Sequence, residues 1–215
     1  MSPLRKVFTD GRLAVIIVAA ILLIDQVIKI WVKTTMCLHE SIHITDWFYI
    51  NYIENMGMAF GMQIGSKIIL SVFRIVAISI LAYYTWKQVK VRARTGYVLC
   101  LSMILGGAIG NLIDCMFYGL CFAGSSEFYT SYLVPFGTGY APFLMGKVVD
   151  MFYFPLIETE WPDWMPIVGG DHLVFFSPVF NFADASISVG VVLLLLFFRK
   201  EISEITLKRE AKEET

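Results

Sequence analysis

The chain has 215 residues, of which 57% are hydrophobic and 16% are charged, and its mean hydropathy is +0.68. This composition lies outside the range of soluble globular proteins and indicates a polytopic membrane protein with a single domain over residues 1–215. The formal net charge of −1 excludes the strongly basic surface that nucleic-acid binding requires.

Four apolar segments are predicted to cross a bilayer, which takes about 20 residues. They cover residues 12–32, 68–86, 97–118 and 183–199. The first is too long for a cleavable signal and lacks a small-residue cleavage site, so we expect it to remain as a span. The sequence therefore predicts a mainly α fold with four transmembrane helices, outer loops 33–67 and 119–182, and a charged tail 200–215.

The basic residues of the short connections predict the orientation, because cytoplasmic segments are enriched in Lys and Arg. Such residues precede the first span (Arg5, Lys6, Arg12), separate the second from the third (Lys87, Lys90, Arg92, Arg94) and follow the fourth (Arg199, Lys200, Lys208, Arg209, Lys212). The loop 119–182 has one base, Lys147, among six acidic residues. We therefore expect both termini in the cytoplasm and both long loops outside.

The two outer loops have different patterns. Residues 43–54 alternate with a period near two and are rich in aromatic and β-branched side chains, which predicts a strand or hairpin at the membrane surface. The second loop carries aromatic residues between glycines and prolines: Phe128, Tyr129, Tyr132, Phe136, Tyr140 and Phe143. It could form a lid over a cleft or a pad in the membrane interface, where aromatic rings are favoured.

Polar side chains occur in three of the apolar segments and share a predicted depth. They are Asp25 and Lys29 in the first, Asn111 and Asp114 in the third, and Asn181 and Asp184 at the start of the fourth. A carboxylate in hydrocarbon costs roughly 2.5–3.5 kcal/mol. With the predicted orientation and a rise of about 1.5 Å per residue, all six lie in one layer beneath the outer surface. This coincidence favours a functional site.

Two neighbouring carboxylates can share one proton and hydrolyse an amide without a metal or a nucleophilic side chain. The ionised acid takes a proton from the attacking water, and the protonated acid donates to the developing oxyanion. No G-x-S-x-G or H-E-x-x-H motif competes with this chemistry. Asp184 is one candidate, but spacing alone leaves its partner open among Asp25, Asp114 and Asp150. An ion pair with Lys29 is the structural alternative for Asp25, a hydrogen-bonded support for Asp114, and a solvated loop acid for Asp150.

Five blocks, in this order, resemble the lipoprotein signal peptidase (signal peptidase II) family. They are Asp25…Lys29, Asn55-x-Gly57-x-Ala59-Phe60, Gly106-Gly107-Ala108-Ile109-Gly110-Asn111-Leu112-Ile113-Asp114, Val148-Val149-Asp150 and Phe180-Asn181-Phe182-Ala183-Asp184. The resemblance implies an aspartic endopeptidase of the bacterial inner membrane, with its active site facing the periplasm. Its substrate would be a membrane-embedded prolipoprotein, cut just before a diacylglyceryl-modified cysteine.

The resemblance also implies roles for individual residues. It places the catalytic pair at Asp150 and Asp184, with no cofactor and no metal. Substrate-binding or supporting roles fall to Asp25, Lys29, Asn55, Gly57, Asn111, Asp114 and Asn181.

The chain departs from the family pattern in two places. Cys115 stands where the family usually has Arg directly after the aspartate, and Arg74 is one candidate to replace that base. Residues 120–145 look inserted, and residues 155–177 look expanded. Loop closure over such lengths costs little, so the acids can still meet.

Other functions remain as alternatives. Membrane acids relay protons in small proton-coupled transporters, and a non-catalytic membrane scaffold would tolerate their replacement by amides. His39 and His43 have a spacing that suits a metal on a helix, but their surroundings look extended, and a chelator would identify a metalloprotease. Cys37 and Cys121 could pair outside the membrane, although four separate thiols are the simpler interpretation.

Overall fold

The computed structural model describes residues 3–56, 67–166 and 170–203, with side chains from residue 9 onward. The helices are α1 (Pro3–Thr35), α2 (Lys67–Lys90), α3 (Thr95–Ile113), α4 (Gly119–Cys121) and α5 (Phe182–Phe197), and a π-helical segment, Asp114–Tyr118, joins α3 to α4. The strands are β1 (Ser41–Thr45), β2 (Phe48–Asn55), β3 (Val148–Tyr153), β4 (Ile157–Glu160) and β5 (His172–Phe175). The predicted mainly α class is confirmed.

Among the described residues, three helical segments are long and apolar enough to cross a membrane: Thr9–Thr35, Lys67–Lys90 and Thr95–Cys121. Their outward faces remain apolar, as Val15 at 69% and Phe73 at 67% exposure illustrate. A helix with apolar residues all round needs lipid or protein on every side. These segments match the first three predicted spans. α5 matches the fourth predicted segment, but its 16 residues fall short of the roughly 20 that a bilayer requires.

The predicted hairpin in the first outer loop is confirmed. β1 and β2 pair antiparallel from Ser41↔Asn51 to Thr45↔Phe48. β3 adds to the other edge of β2, so the sheet order is β1-β2-β3. β3 comes from the second loop, in which we had predicted no strand. Its residues Val148 to Tyr153 are β-branched, aromatic or apolar apart from Asp150, which suits a strand that packs against a core. A second small sheet pairs β4 with β5.

The contacts divide the chain into two compact units. The first contains Met1–Leu23, Arg74–Gly110 and Ala183–Thr215. Its core contains Tyr97, Cys100, Leu101, Leu194 and Phe198. In this unit α3 and α5 approach closely because Gly107 has no side chain: a Cβ there would meet the carbonyl oxygen of Ala183. Small residues allow such contacts between membrane helices.

The second unit contains Ile24–Phe73 and Asn111–Phe182. Its core is formed by Val32, Met36, Tyr52, Tyr118, Phe122, Val149 and Met151. The sheet therefore packs through β2 and β3 on the end of α1 and on the segment that follows α3. This packing brings Asp150 from the second loop next to residues of the first loop and of α3.

Candidate active site

Asp150 lies in β3, opposite Ile53 of β2, and is 3% exposed. Two amides hold its carboxylate. Asn181 Nδ2 donates to Asp150 Oδ1 over 2.6 Å, and Asn55 Nδ2 donates to Oδ2 over 3.2 Å. The alternative of a solvated loop acid is therefore wrong for Asp150. Its carboxylate is buried and has a fixed orientation, because each oxygen accepts a hydrogen bond from a different element.

Lys29 is the centre of a buried ionic network. Its Nζ lies 2.9 Å from Asp25 Oδ2 and 2.8 Å from Asp114 Oδ2, and it donates to Asn111 Oδ1 over 2.9 Å. All three charged side chains are inaccessible to solvent. The Asp25–Lys29 ion pair that the sequence suggested is present, and Asp114 belongs to the same network. Such buried charges require good partners, and here each one has them.

Two amides connect this network to Asp150. Asn111 Oδ1 accepts both from Lys29 and from Asn181 Nδ2, the latter over 3.0 Å. Asn181 in turn donates to Asp150. Asp114 reaches the same strand directly, because the backbone N–H of Val149 donates to its Oδ2 over 3.3 Å. A chain of contacts therefore runs from the Lys29 ammonium to the Asp150 carboxylate through two asparagines.

The structure thus brings together seven of the nine predicted site residues, all within one unit: Asp25, Lys29, Asn55, Asn111, Asp114, Asp150 and Asn181. Asp184 lies in the first turn of α5, three residues after Asn181, and is partly exposed. Gly57 lies outside the described residues. The roles of the nine residues stay predictions.

A cavity of about 350 Å³ borders the Asp150 carboxylate. Its lining contains Ile53, Glu54, Asn55, Met56, Asp150, Ser177 and Val179. Asn55 therefore contacts both Asp150 and this space. A cavity with both polar and apolar lining next to a buried carboxylate could hold a water molecule and a peptide bond, as hydrolysis requires.

A second ionic cluster, which was not predicted from the sequence, lies next to Asp150 along the strands and is largely buried. Lys33 Nζ lies 2.6 Å from Glu54 Oε1, and Lys147 Nζ lies 2.8 Å from Glu54 Oε2. Ser125 and Tyr52 also donate to Glu54, over 2.7 and 3.0 Å. Burial alone would raise the pKa of Glu54, but the two ammonium groups outweigh it and lower that pKa to about 2.

This cluster fixes the ends of the two strands that carry the candidate residues. Glu54 precedes Asn55 in β2, and Lys147 comes three residues before Asp150. A sequence signal for it did exist. Asp25, Lys29 and Lys33 follow one another at intervals of four, which places them on a single face of α1. Lys33 at the end of a span reads equally well as a snorkelling side chain, so the signal was ambiguous.

Gln26 is a further residue that the sequence did not single out. Its Nε2 donates to Asp114 Oδ1 over 2.9 Å and to Asp25 Oδ2 over 3.2 Å, while its Oε1 accepts from Tyr118 OH. Gln26 therefore bridges the two acids that Lys29 also bridges. A lone amide beside an ion pair carries no recognisable spacing, which is why it was overlooked.

Among the described residues, no group of three His, Cys, Asp or Glu side chains could hold a metal ion. His43 lies on a strand and contacts Asp46, and His39 contacts Glu127, so the two histidines do not share a helix face. Cys37 and Cys121, the two cysteines that could have paired outside the membrane, form no disulfide. Cys115, at the position where the family usually has Arg, is buried.

The model of the family described as signal peptidase (SPase) II matches residues 17–199 of this chain. Two strains of Porphyromonas gingivalis each have a lipoprotein signal peptidase that is 50% identical to this chain over 195 residues, covering 90% of the chain and 86% of the relative. The lipoprotein signal peptidase of Amoebophilus asiaticus is 38% identical over 199 residues, covering 89% of this chain and 80% of the relative. A solved bacterial membrane enzyme has a TM-score of 0.59 at 23% identity, with 89% of this chain and 90% of that chain covered. At that identity the likeness supports the fold alone.

Proposed function

The chain belongs to the signal peptidase II family, and from this premise we propose that Asp150 and Asp184 are the two carboxylates that carry out its reaction. The reaction is that of a membrane aspartic endopeptidase. It removes the signal peptide from prolipoproteins just before the diacylglyceryl-modified cysteine. The alternative of a proton-coupled transporter finds no support among the similar proteins.

The observation that carries the catalytic assignment is the hydrogen bond from Asn181 to Asp150. Asn181 is the residue that immediately precedes α5, and Asp184 follows it by three positions in the first turn of that helix. Asn181 thus orients Asp150 and directly precedes the helix that carries Asp184. Asp25 and Asp114, in contrast, are both ion-paired to Lys29, so neither is available to share a proton with a second carboxylate.

In the proposed reaction the two acids share one proton. The ionised carboxylate removes a proton from water, the water oxygen attacks the scissile carbonyl carbon, and the other acid donates its proton to the carbonyl oxygen. Collapse of the tetrahedral intermediate breaks the C–N bond, and a proton passes to the leaving amine. Asn55 and Asn181 keep the Asp150 carboxylate in place throughout.

We assign the remaining residues to supporting roles. The buried Asp25, Lys29 and Asp114, together with Asn111, would position Asn181 and the start of β3. Asn55 supports Asp150 and also borders the cavity, where it can reach the substrate backbone. For Gly57, two residues after Asn55 in the motif, we propose a role in substrate binding.

We further propose the inner-membrane arrangement that the sequence predicts. α5 would form the fourth span, completed by its flanking residues and ended by Arg199 and Lys200 at the cytoplasmic surface. Both termini would be cytoplasmic, the catalytic acids would face the periplasm, and the two compact units would act as one peptidase domain. The diacylglyceryl chains of the substrate would remain among the membrane lipids.

Replacing either acid by its amide tests the assignment. Asp150→Asn and Asp184→Asn should each lower the cleavage rate of a diacylglyceryl-modified prolipoprotein by about 10³-fold, because an amide cannot exchange the proton. The measurement is the cleavage rate of purified protein in detergent, with unfolding temperatures recorded in parallel. Asp163→Asn, the same change on an exposed loop, should cleave at the normal rate.

A variant at Asp150 or Asp184 that processes its substrate normally would overturn the assignment. Activity that disappears with EDTA and returns with a divalent metal would instead favour a metalloprotease, because a carboxylate pair needs no metal.

A further inference from the structure

The segment from Phe128 to Gly146, which we call the aromatic segment, combines high exposure with a complete lack of charged residues. Phe128 is 90% exposed and Phe136 is 71% exposed. Tyr129, Tyr132, Leu133 and Phe143 are also exposed. Large contiguous apolar surfaces on a protein mark contact with a partner or a membrane, because water penalises them.

The aromatic segment is attached to the end of a membrane-spanning helix. The backbone N–H groups of Gly137, Ala141 and Gly146 donate to the carbonyl oxygens of Leu120, Gly119 and Cys115, over 3.0, 3.0 and 2.9 Å. These three acceptors belong to the last turns of the span Thr95–Cys121. Cys115 comes six residues before Cys121, about 9 Å along a helix at 1.5 Å per residue. The segment therefore extends back alongside the helix to the depth of its last turns.

A hydrogen bond from α2 to Leu144 places the aromatic segment at the same depth along the spans. Ser71, four residues into the span Lys67–Lys90, donates through Oγ to the carbonyl oxygen of Leu144 over 2.9 Å. Ser71 is buried. Leu144 thus lies at the level of the first turns of α2 and of the last turns of the span Thr95–Cys121. Two helices that cross the membrane consequently flank the aromatic segment within one unit.

The backbone of the aromatic segment also suits an environment with little water. The N–H groups of Val134, Thr138, Tyr140 and Met145 donate to carbonyl oxygens of Cys121, Pro135, Phe122 and Pro142. Pro135 and Pro142 have no N–H group to satisfy. Backbone groups that enter a membrane must be satisfied internally, since lipid offers no hydrogen bonds.

We propose that the aromatic segment is an interfacial element of the membrane, with its exposed rings in the lipid headgroup layer at the Cys121 end of the span. Tyr favours this layer because its ring is apolar while its hydroxyl stays in contact with headgroups, and Phe adds apolar surface of the kind that interfacial elements bury at the headgroup boundary. Since the segment has no charge, it recognises the layer by polarity alone and does not require anionic lipid. The inference depends on the spanning helices and holds whichever side of the membrane Cys121 faces.

The test measures lipid contact directly. The full-length protein, one copy per nanodisc of phosphatidylcholine, would carry p-acetylphenylalanine with an attached nitroxide at residue 128, 136 or 164. Trp164 is the matched control, because it is an exposed aromatic residue at 79% in a loop with acidic neighbours. The three sites make few packing contacts, so labelling should leave the fold intact. Power saturation with oxygen, which enters lipid, and with a nickel chelate, which stays in water, reports the surroundings of each label.

We expect the ratio of oxygen to nickel accessibility at residues 128 and 136 to exceed that at residue 164 several-fold, in zwitterionic and in anionic nanodiscs alike. Equal ratios at the three sites would show that the segment faces water and would overturn the proposal. A high ratio that appears only after addition of the lipid-modified substrate would identify the segment as a substrate contact and would also overturn it. A high ratio that appears only when a nanodisc holds two copies of the protein would indicate a dimer contact and would also overturn the proposal.

Discussion

At the scale of single residues, the site depends on asparagines that join charged groups. Asn111 and Asn181 lie between the Lys29 ammonium and the Asp150 carboxylate, and Asn55 holds the other oxygen of Asp150. Asn111 accepts through Oδ1 from Lys29 and Asn181, and Asn181 donates through Nδ2 to Asn111 and Asp150, so the two amides together join the cation to the anion. Asn111 and Asn181 are predictable from the sequence because each precedes an aspartate by three residues in or next to an apolar segment, whereas Asn55 and the choice of Asp150 follow only from the resemblance to the family. Glu54 was not predicted, because its place in an alternating strand gave no sign that it was buried.

The hydrogen bond from Asn55 to Asp150 can be tested within one strand. Asn55→Ala should lower kcat by about 10- to 100-fold, the effect expected for losing a hydrogen bond to a charged group. Asn51→Ala is the matched control, because Asn51 lies in the same strand and accepts from Ser41 instead. Steady-state kinetics separates the possibilities. A change confined to KM would mean that Asn55 binds substrate without orienting Asp150.

Glu54 makes stability depend on pH. Its pKa is about 2 in the folded protein and near 4.5 otherwise, so its ion pairs stabilise the fold fully above about pH 4.5. This stabilisation of about 3 kcal/mol is lost as the pH falls towards 2, because Glu54 then takes up a proton. Glu54→Gln should therefore unfold at a lower temperature than wild type at neutral pH, and the difference should shrink across that window.

Unfolding followed by tryptophan fluorescence in detergent measures this difference. The exposed Glu158→Gln on β4 serves as the control and should follow the wild-type curve. A difference in unfolding temperature between wild type and Glu54→Gln that stays constant from neutral to acid pH would contradict the explanation by ion pairs.

At the scale of elements, local sequence patterns predicted the helices and the hairpin, whose contacts are close in sequence. The period of the first outer loop predicted the β1–β2 hairpin, and the apolar runs predicted the helices. β3 was not predicted, because it pairs with a strand almost a hundred residues earlier and no local period encodes that partner. The same holds for the aromatic segment, whose contacts with α2 and the end of the third span come from folding back over long connections. Glycines make that return possible, since Gly146 lies against the backbone of Asp114 and Gly119.

Gly146→Ala should disturb the packing of the aromatic segment against the end of the span Thr95–Cys121. A Cβ there would meet the carbonyl oxygen of Asp114, so the chain would have to shift at a cost of about 1–3 kcal/mol. Because Asp114 accepts from Val149 in β3, we expect a lower unfolding temperature together with slower cleavage. Gly124→Ala is the control in the same outer loop, where a Cβ would meet only Tyr140 Cβ at 3.8 Å. Equal behaviour of the two variants would argue against close packing at Gly146.

At the scale of the whole molecule, hydropathy and charge predicted a membrane protein with several helical spans, and three long apolar helices confirm the helical and apolar part of that prediction. The number of spans and the orientation depend on α5 and on the distribution of Lys and Arg. Neither the number of spans nor the orientation follows from helix packing alone, because it is the membrane that distributes Lys and Arg between its two sides.

Reporter fusions would establish the orientation. Alkaline phosphatase, which folds only outside the cytoplasm, should be active when fused after residue 164 and inactive when fused after residue 92. A fluorescent protein that matures only in the cytoplasm should be bright when fused after residue 215. Activity at residue 92, or a dark fusion at residue 215, would reverse the proposed arrangement or remove α5 from the set of spans.

The saturation of Lys29 has a consequence for inhibitors. An ammonium group has three hydrogens, and Asp25, Asp114 and Asn111 accept all three. A compound designed to reach this lysine with an acidic warhead would find no free donor and would have to break a buried network first. Chemistry aimed at this enzyme is better directed at Asn55 and Asp150, which border a cavity of about 350 Å³.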